Sequence, residues 1–292
     1  MEMSRLAWSV SLFPIQRPCA SIWGRKASVI RCSSDEFKVL TSVTSKHNNI
    51  VILDTPDSRI LLLDSSNNVH SILHKGNKWT HAYWDEFATL PAIVPKGPVA
   101  IFGLGGATAA HLMLELWPSL LLVGWEIDEI VLIEKAREYL GLSDLEKHTE
   151  VGGVLEVRIG DVLSPSVTIP GGYAGIIVDL FSDGKVLPQL EEVTTWLEMN
   201  KMLMPSGRLM VNCGAATKEL PNTSSDPWEL NATINALCEA FPEQVSWKKL
   251  PKRAGENYLA LTGPLPDLAI WSARLPDQLS SSVKEWRSCT PS

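Results

Sequence analysis

Short apolar runs of strand length alternate with amphipathic segments of helical spacing from Pro98 onward. Five such runs are separated by turns and helical segments, at residues 98–102, 120–128, 155–161, 173–183 and 208–214. Two last runs, 244–250 and 257–263, follow each other without a helical segment and predict an antiparallel pair. The alternation predicts an α/β fold: a doubly wound, Rossmann-like sheet that is mostly parallel and has an antiparallel last strand.

A different pattern precedes this alternation. Strand-like segments separated by the turn sequences TPDS and DSSNN predict a small antiparallel sheet with two hairpins, at residues 37–43, 49–54, 59–64 and 69–73. Residues 79–93 have helical spacing and predict a linking helix. We therefore divide the chain into a small N-terminal β-hairpin region with its linking helix (35–92), a Rossmann-like domain (93–263) and a peripheral C-terminal tail (264–292).

The first 34 residues differ from the rest in charge. They contain five basic residues, one acid and several Ser, in a chain of 292 residues with a formal net charge of -7. Basic, Ser-rich and acid-poor composition is typical of an organellar transit peptide. We expect a chloroplast destination for residues 1–34. A mitochondrial destination, or a merely disordered basic arm on a cytoplasmic protein, is the alternative.

Composition also excludes several classes of partner. The chain beyond residue 34 is acidic, which argues against nucleic acid because phosphate backbones are bound by clustered Lys and Arg. A solvated turn explains its one basic cluster, WKKLPKR (247–253). No run of about 18 apolar residues predicts a membrane span. The five Cys lack CxxC spacing, so neither a disulfide framework nor a metal site is predicted. A small-molecule substrate is the remaining expectation.

The turn GLGGAT (103–108) follows the first buried strand and opens a helix. Gly103 and Gly105 let the backbone turn and approach a ligand closely, and Ala107 keeps the helix near the strand. Glu126 ends the next strand, where a carboxylate can accept hydrogen bonds from ribose hydroxyls, and Asp128 lies just beyond it. The pattern predicts a nucleoside cofactor. The alternative is that the glycines serve only helix–strand packing.

The class of cofactor follows from what the turn lacks. A nicotinamide site favours a third glycine, and this chain has Thr108 at that place. The closing antiparallel pair also favours the S-adenosylmethionine class. Asp161, after the third strand, suits a carboxylate that accepts from the adenine amino group, and a turn cap is its alternative role.

Residues 46–262 resemble the spermidine synthase family of aminopropyltransferases, within the S-adenosylmethionine-dependent methyltransferase superfamily. AYWDEFATLP (82–91) is similar to the family's AYQEMIAHLP, and PSLLLVGWEIDEIVLIEKAREYL (118–140) is similar to its strand–EID–helix segment. RIGD (158–161) matches the family's VGD. The resemblance implies the same fold, a cofactor that is S-adenosylmethionine or its decarboxylated form, and a homodimer as one form of assembly.

The chain departs from the family pattern in its loops. Gly106 stands where the family has an Asp that faces the place of a cofactor carboxylate. This departure favours intact S-adenosylmethionine and leaves a backbone N–H free to face an anion. The family's DSSDP is DLFSDG (179–184) here, so Asp179 is kept while the second acid, Asp183, is one place later. Tyr83 matches the polyamine-contacting Tyr, and Trp84 replaces the Gln that follows it.

Three hypotheses remain open at this point. The first is a methyltransferase with a spermidine-synthase-like fold, which acts on a small acceptor with Asp179, Asp183 and Tyr83 as candidate catalytic residues. Its cofactor would be held by Gly103, Gly105, Gly106, Glu126, Asp128, Asp161 and Asp179. The second is an aminopropyltransferase of altered specificity. The third is a non-catalytic protein that keeps the fold as a cofactor-binding or structural unit. In each, His111 and Cys213 are expected to be structural.

Overall fold

The N-terminal sheet is a four-stranded antiparallel meander. The computed structural model describes residues 37–64, 68–128, 131–215, 227–251 and 257–289, so the predicted transit peptide lies outside the described residues. The strands pair in chain order: β1 (Lys38–Thr44), β2 (Asn49–Asp54), β3 (Ser58–Leu62) and β4 (Ser71–His74). This confirms the hairpin pattern predicted from the turn sequences.

Within the described residues, the main sheet has eight strands and the predicted mixed character. The strands are β5 (Val99–Phe102), β6 (Leu121–Glu126), β7 (Val154–Ile159), β8 (Tyr173–Val178), β11 (Leu203–Asn212), β12 (Val245–Lys249), β13 (Tyr258–Thr262) and β14 (Arg287–Ser288). Their order is β14-β12-β13-β11-β8-β5-β6-β7, with parallel pairing from β11 to β7 and antiparallel pairing from β11 to β14. A separate hairpin follows β8 and consists of β9 (Phe181–Ser182) and β10 (Lys185–Val186).

Helices cover both faces of this sheet, as a doubly wound architecture requires. They are α1 (Tyr83–Phe87), α2 (Thr108–Leu116), α3 (Val131–Tyr139), α4 (Leu142–Leu145), α5 (Val193–Asn200), α6 (Ala232–Ala240), α7 (Leu268–Ala273) and α8 (Asp277–Ser280). The predicted linking helix is shorter than its pattern, because α1 ends at Phe87 and a 3-10 turn continues it from Leu90 to Ala92. In the part of the chain that the structure describes, no helix is long and apolar enough to cross a bilayer.

The C-terminal segment differs from the expected peripheral tail. Its large side chains Trp271 and Trp286 are buried and stack with ring centroids 6.1 Å apart. Trp271 Nε1 also donates to the Thr89 carbonyl at 3.0 Å, and β14 adds an edge strand to the main sheet. Two buried indoles supply enough apolar area to hold a short segment against the core. The irregular spacing of its apolar residues hid this role in the sequence.

The basic cluster WKKLPKR also differs from the solvated turn expected for it. Lys248 lies on β12 with its side chain only 1% exposed, and its Nζ pairs with Glu86 Oε2 at 2.8 Å. Strand alternation explains the difference, since neighbouring Lys248 and Lys249 point to opposite faces. Glu86 belongs to α1, so this buried ion pair connects α1 to β12, one strand in from the edge of the main sheet.

Strand register brings the predicted site residues together. Phe102 of β5 lies beside Trp125 of β6 on one side and Val178 of β8 on the other. The residues that follow these three are Gly103, Glu126 and Asp179, and they therefore meet at the carboxyl edge of the sheet. In open α/β sheets this edge, where the strand order reverses, is the usual position of a ligand.

Candidate active site

A cavity of about 860 Å³ opens at this edge, between the main sheet and the N-terminal sheet. A volume of this size suits a nucleoside-sized ligand together with a small second substrate. Its floor is formed by the ends of β5, β6 and β8, and its sides by α1 and by the turns of the N-terminal sheet. Aromatic side chains form much of the lining: Tyr83, Trp84, Phe87, Trp125 and Phe181.

Gly103 is a glycine because β8 passes directly behind it. It has φ +86°, and a Cβ at this position would stand 2.3 Å from the Asp179 carbonyl oxygen. The N–H groups of Gly103 and Leu104 both donate to the Trp125 carbonyl, at 3.1 and 2.9 Å. The loop thus lies close to the neighbouring strands, and its predicted close approach to a ligand stays a prediction.

Glu126 fastens the glycine loop. Its Oε2 accepts from the Gly105 N–H at 2.9 Å, and its Oε1 accepts from the N–H groups of Ile127 (2.9 Å) and Asp128 (3.1 Å). The side chain lines the cavity, and burial raises the pKa of its carboxyl above the usual range. A carboxylate oxygen can accept more than one hydrogen bond, so Oε2 keeps the capacity to accept from a ribose hydroxyl.

Gly106 differs from its predicted role. Its N–H was expected to be free to face an anion, and instead it donates to Ser71 Oγ at 2.8 Å. The residue is buried, and a Cβ there would stand 2.5 Å from Leu140 Cδ1 and 2.8 Å from Ser71 Cβ. The N-terminal sheet packs onto this part of the loop and takes up its donor. The sequence could not show this contact because Ser71 is 35 residues away.

Asp128 also has a different partner from the one expected. Its Oδ2 accepts from Asn48 Nδ2 at 2.7 Å and from Ser45 Oγ, and its side chain is 2% exposed. These contacts hold the turn between β1 and β2 against the main domain. Asp128 is not among the residues that line the cavity, so its role there is to place the wall that Asn48 forms.

Asp161 lies at the rim of the cavity, after β7. It is exposed, and its Oδ1 accepts from the Leu163 N–H at 2.9 Å. The turn cap considered from the sequence is therefore present. The second carboxylate oxygen remains available on the cavity side, so the cap and a contact with an adenine amino group are compatible.

Asp179 is the most strongly perturbed carboxyl of the cavity. Its Oδ2 accepts from the Tyr83 hydroxyl at 3.1 Å, and its Oδ1 accepts from Asn212 Nδ2 at 2.9 Å. Burial raises its pKa to about 6, and hydrogen bonds from the side chains of Asn212, Tyr83 and Trp84 oppose that rise. Burial and the Asp179 carboxylate together raise the pKa of Tyr83 well above its usual value. This carboxyl therefore changes charge near neutral pH, as a proton acceptor must.

Asn212 and Asn257 were not found from the sequence. Asn212 is fully buried, and its Oδ1 accepts from Asn257 Nδ2 at 3.0 Å and from the Gly214 N–H at 3.1 Å. These two donors fix the orientation of its amide, so that its Nδ2 points at Asp179. The available indication was that Asn212 ends a buried parallel strand at the same edge as Asp179.

Asp183 is placed away from the cavity lining. It occupies the tight turn between β9 and β10, with φ +51°, followed by Gly184 with φ +70°. Two consecutive positive φ values are those of a type I′ hairpin turn, which Asp-Gly strongly favours. The side chain is exposed, while its neighbours Ser182 and Gly184 line the cavity. Its displacement by one place relative to the family pattern follows from this turn.

The remaining candidates are structural, as expected. His111 Nε2 pairs with the Leu140 carbonyl at 2.9 Å, and burial lowers the pKa of His111 to about 4. Cys213 is buried, and burial raises the pKa of its thiol. Among the described residues, no cluster of three or more His, Cys, Asp or Glu side chains is arranged to hold a metal ion.

Comparison with solved structures places the fold. A probable spermidine synthase from Corynebacterium glutamicum is similar over 76% of this chain and 79% of its own, at 15% identity and a TM-score of 0.57. A spermidine synthase solved with the transition-state analogue AdoDATO is similar over 77% and 73%, at 18% identity and 0.58. The Thermotoga maritima spermidine synthase is similar over 77% and 72%, at 18% identity and 0.54.

The chain therefore has the fold of these spermidine synthases. No protein-family model matches the sequence, and no curated protein matches it either. At identities of 15 to 18%, the likeness establishes the fold. The chemistry has to be argued from the cavity itself.

Proposed function

We propose that this protein transfers an alkyl group from a sulfonium nucleoside of the S-adenosylmethionine type to an amine nitrogen. The observation that carries the proposal is the carboxyl of Asp179, held by Tyr83 and Asn212 at the cavity with a pKa of about 6. A base of this pKa, in an aromatic cavity beside a glycine loop, suits the removal of a proton from an amine at neutral pH.

The residues of the cavity fit a nucleoside. Glu126 Oε2 would accept from a ribose hydroxyl, and the free oxygen of Asp161 would take the adenine amino group. The turn at Gly103 and Gly105 brings the backbone close to the ligand without a side chain in between. When bound, the sulfonium supplies an electrophilic carbon and a neutral thioether leaving group.

Asp179 would act on the acceptor. An ammonium has no lone pair, so its proton must leave before the nitrogen can attack. The Asp179 carboxylate would take that proton and so free the nitrogen lone pair to attack the electrophilic carbon, with the neutral thioether as the leaving group. The Tyr83 hydroxyl and the Asn212 amide hold the carboxylate in one orientation throughout. Alignment of the two substrates supplies the rest of the rate enhancement.

The transferred group has two candidates. Gly106 removes the acid that would repel a cofactor carboxylate, which favours intact S-adenosylmethionine and methyl transfer. The retained pair of Tyr83 and Asp179 favours aminopropyl transfer from the decarboxylated cofactor. The charge of the cavity also favours the decarboxylated cofactor. The described residues of its lining include no Lys or Arg and three carboxylates, Glu126, Asp161 and Asp179.

Titration calorimetry on the chain from residue 35 onward tests the proposal, with S-adenosylmethionine, its decarboxylated form and methylthioadenosine. Binding of methylthioadenosine, which carries only the adenosine and thioether parts, is the result expected from the glycine loop and Glu126. Alkylation of putrescine, spermidine or other small amines, followed by mass spectrometry, then identifies the transferred group. Binding of none of the three compounds would support the non-catalytic alternative.

We also propose that residues 1–34 direct the protein to the chloroplast, on the basis of their basic, Ser-rich composition. A fluorescent reporter fused to these residues should accumulate in plastids, and a reporter that stays in the cytosol would contradict the proposal. Assembly as a homodimer stays a prediction, to be checked by light scattering.

A further inference from the structure

A histidine–carboxylate pair in the N-terminal sheet faces the cavity. His70 precedes β4, and its Nε2 lies 3.2 Å from Asp64 Oδ2, at the end of β3. The His70 side chain is 16% exposed and lines the cavity, while the Asp64 side chain is 13% exposed and stands behind it. The sequence analysis identified neither residue as a candidate for the site.

The pair is held directly over the glycine loop. Ser71, the next residue, accepts the Gly106 N–H at 2.8 Å, and Thr108 Oγ1 bonds to both the N–H and the carbonyl of Ile72. A Cβ on Gly105 would stand 3.8 Å from the His70 carbonyl oxygen. His70 is therefore positioned by the same contacts that close the loop.

Few of the described side chains that line the cavity can carry a positive charge. Of the described residues that line the cavity, the titratable bases are His70 and the exposed His47, and the acids are Glu126, Asp161 and Asp179. The glycine loop supplies no free donor at Gly106, whose N–H is bonded to Ser71. A ligand carboxylate in this cavity would consequently find acids on the sheet side and His70 on the other.

We propose that His70 is the residue that selects between a cofactor that carries a carboxylate and one that has lost it. The inference rests on the proposed function, since it presupposes a sulfonium nucleoside in the cavity. Protonated His70 donates a hydrogen bond to the carboxylate of S-adenosylmethionine. Neutral His70 offers no such bond and leaves the acidic cavity to the decarboxylated form, which carries one positive charge more.

Asp64 determines which state of His70 can do this. A carboxylate beside Nε2 favours the tautomer with its proton on that atom, so Nδ1 of the neutral ring is an acceptor. Protonation turns Nδ1 into a donor, and a donor is what a carboxylate requires. The other titratable groups on the surrounding elements are Glu126 behind the glycine loop and His47 on the turn between β1 and β2.

The direction of the pH effect follows from this chemistry. Burial lowers the pKa of His70 below 6.5, and the charge of Asp64 opposes the shift. Protonation therefore increases as the pH falls from 7.0 to 5.5, and selection should move toward the intact cofactor over the same interval. The amino groups of both cofactors stay protonated in this range. Asp179, with a pKa of about 6, also ionises there, and its carboxylate would repel the carboxylate of S-adenosylmethionine, so it shifts the ratio in the same direction as His70.

The test is the ratio of the dissociation constants of S-adenosylmethionine and its decarboxylated form, measured by calorimetry at pH 7.0 and 5.5. We expect the ratio to move toward S-adenosylmethionine by about tenfold on acidification, which corresponds to about 1.4 kcal/mol. In His70→Gln the change of the ratio with pH should fall to the part that Asp179 contributes, and in Asp64→Asn the change should be reduced, because the charge that favours protonation of His70 is lost.

His47→Gln is the matched control, the same substitution at the other cavity histidine, and should keep the full pH effect. Methylthioadenosine binding is measured for each variant in parallel, to check that the nucleoside site is intact. A pH effect of full size in His70→Gln, or its disappearance in His47→Gln, overturns the inference. If the unsubstituted protein does not bind methylthioadenosine, the result instead contradicts the proposed function.

Discussion

The glycine loop after β5 and the turn after β8 lie side by side at one edge of the sheet, but they use their polar groups in opposite ways. The loop's N–H groups are taken up inside the protein, by Trp125, Glu126 and Ser71. The turn after β8 presents a carboxyl, Asp179, which two side-chain donors hold at the cavity. The first region joins elements of the fold, and the second presents an ionisable carboxyl to the cavity.

This difference shows where specificity for charge must come from. A loop whose donors are already satisfied can shape a ligand site but adds little to the binding of an anion. Charge selection then depends on the side chains around the loop, which are Asp179 on the main sheet and His70 on the N-terminal sheet. Under the proposed function, the wall that the small sheet contributes would therefore take part in charge selection through His70.

The largest effect that we expect is on turnover. Asp179→Asn keeps the shape of the side chain and removes the base, so the rate should fall about 100- to 10,000-fold while methylthioadenosine still binds. In the unsubstituted protein the rate should rise with pH through about 6, since only the ionised carboxyl accepts a proton. Asp183→Asn, on the exposed hairpin turn, is the control and should change the rate by no more than about twofold.

Stability provides a check that Asp179→Asn acts on chemistry. The folded-state pKa of Asp179 is raised from 3.8 to about 6, so the folded protein holds this proton more tightly than the unfolded chain. The stability that this contributes is complete below pH 3.8 and is lost as the pH rises through 6. At pH 8 the variant should therefore unfold at an equal or higher denaturant concentration than the unsubstituted protein. A large loss of stability would identify Asp179 as structural.

The second effect tests the glycine loop as a joint. Gly103→Ala places a Cβ at φ +86°, 2.3 Å from the carbonyl oxygen of Asp179, the residue that follows β8, whereas Gly152→Ala places one at φ +92° in open space. Gly152→Ala should lower the free energy of unfolding by about 1–2 kcal/mol, from backbone strain alone. Gly103→Ala should lower it by about 1–3 kcal/mol more, from overpacking. Equal losses in urea unfolding would mean that β8 does not constrain the loop.

Much of this comparison was predictable from the sequence, because it depends on local patterns. The alternating segments predicted the sheet, and the strand ends predicted that Gly103, Glu126 and Asp179 would meet. Tyr83 was found through a motif and does contact Asp179. Periodicity and short motifs report the position of a residue along its own element, and in parallel strands this position is enough to place it at the edge.

The remainder depends on contacts between segments that are far apart in the sequence. Ser71 consumes the donor of Gly106 across 35 residues, and Asn48 engages Asp128 across 80. Lys248 is buried because Glu86 lies opposite it, which the basic cluster around it concealed. Asp183 could have been assigned to a hairpin turn from its Asp-Gly pair, but the comparison with the family motif directed attention to its charge.

The third effect concerns binding. Glu126→Gln keeps the size of the side chain and one carbonyl acceptor, but it loses charge on a group that already holds the Gly105 N–H. We expect methylthioadenosine to bind more weakly by about 1–3 kcal/mol, the usual contribution of a hydrogen bond to a charged group. Asp128→Asn is the control, since Asp128 contacts Asn48 and not the cavity. Equal weakening in both variants would assign the effect to the fold.

The smallest effect is a shift along the pH axis, and it separates the positioning role of Asn212 from a purely structural one. Asn212→Asp replaces the donor 2.9 Å from Asp179 Oδ1 by a second carboxyl. Two carboxyls at this distance share a proton, because both cannot ionise together at low cost. The pKa of Asp179 should rise by about one unit, so that at pH 6.5 the ionised fraction, and with it the rate, falls several-fold while changing little at pH 8.

Asn212→Ala removes the same donor without adding a charge, so its shift should have the same sign and be smaller. Carbon-13 NMR of the Asp carboxyl groups measures both shifts directly and needs no knowledge of the acceptor. We expect the pKa of Asp179 to be highest in Asn212→Asp, lower in Asn212→Ala and lowest in the unsubstituted protein. If Asp179 titrates at the same pH in all three proteins, its pKa does not depend on the Asn212 amide. Asn212, held by Asn257 and Gly214, would then only support the end of β11.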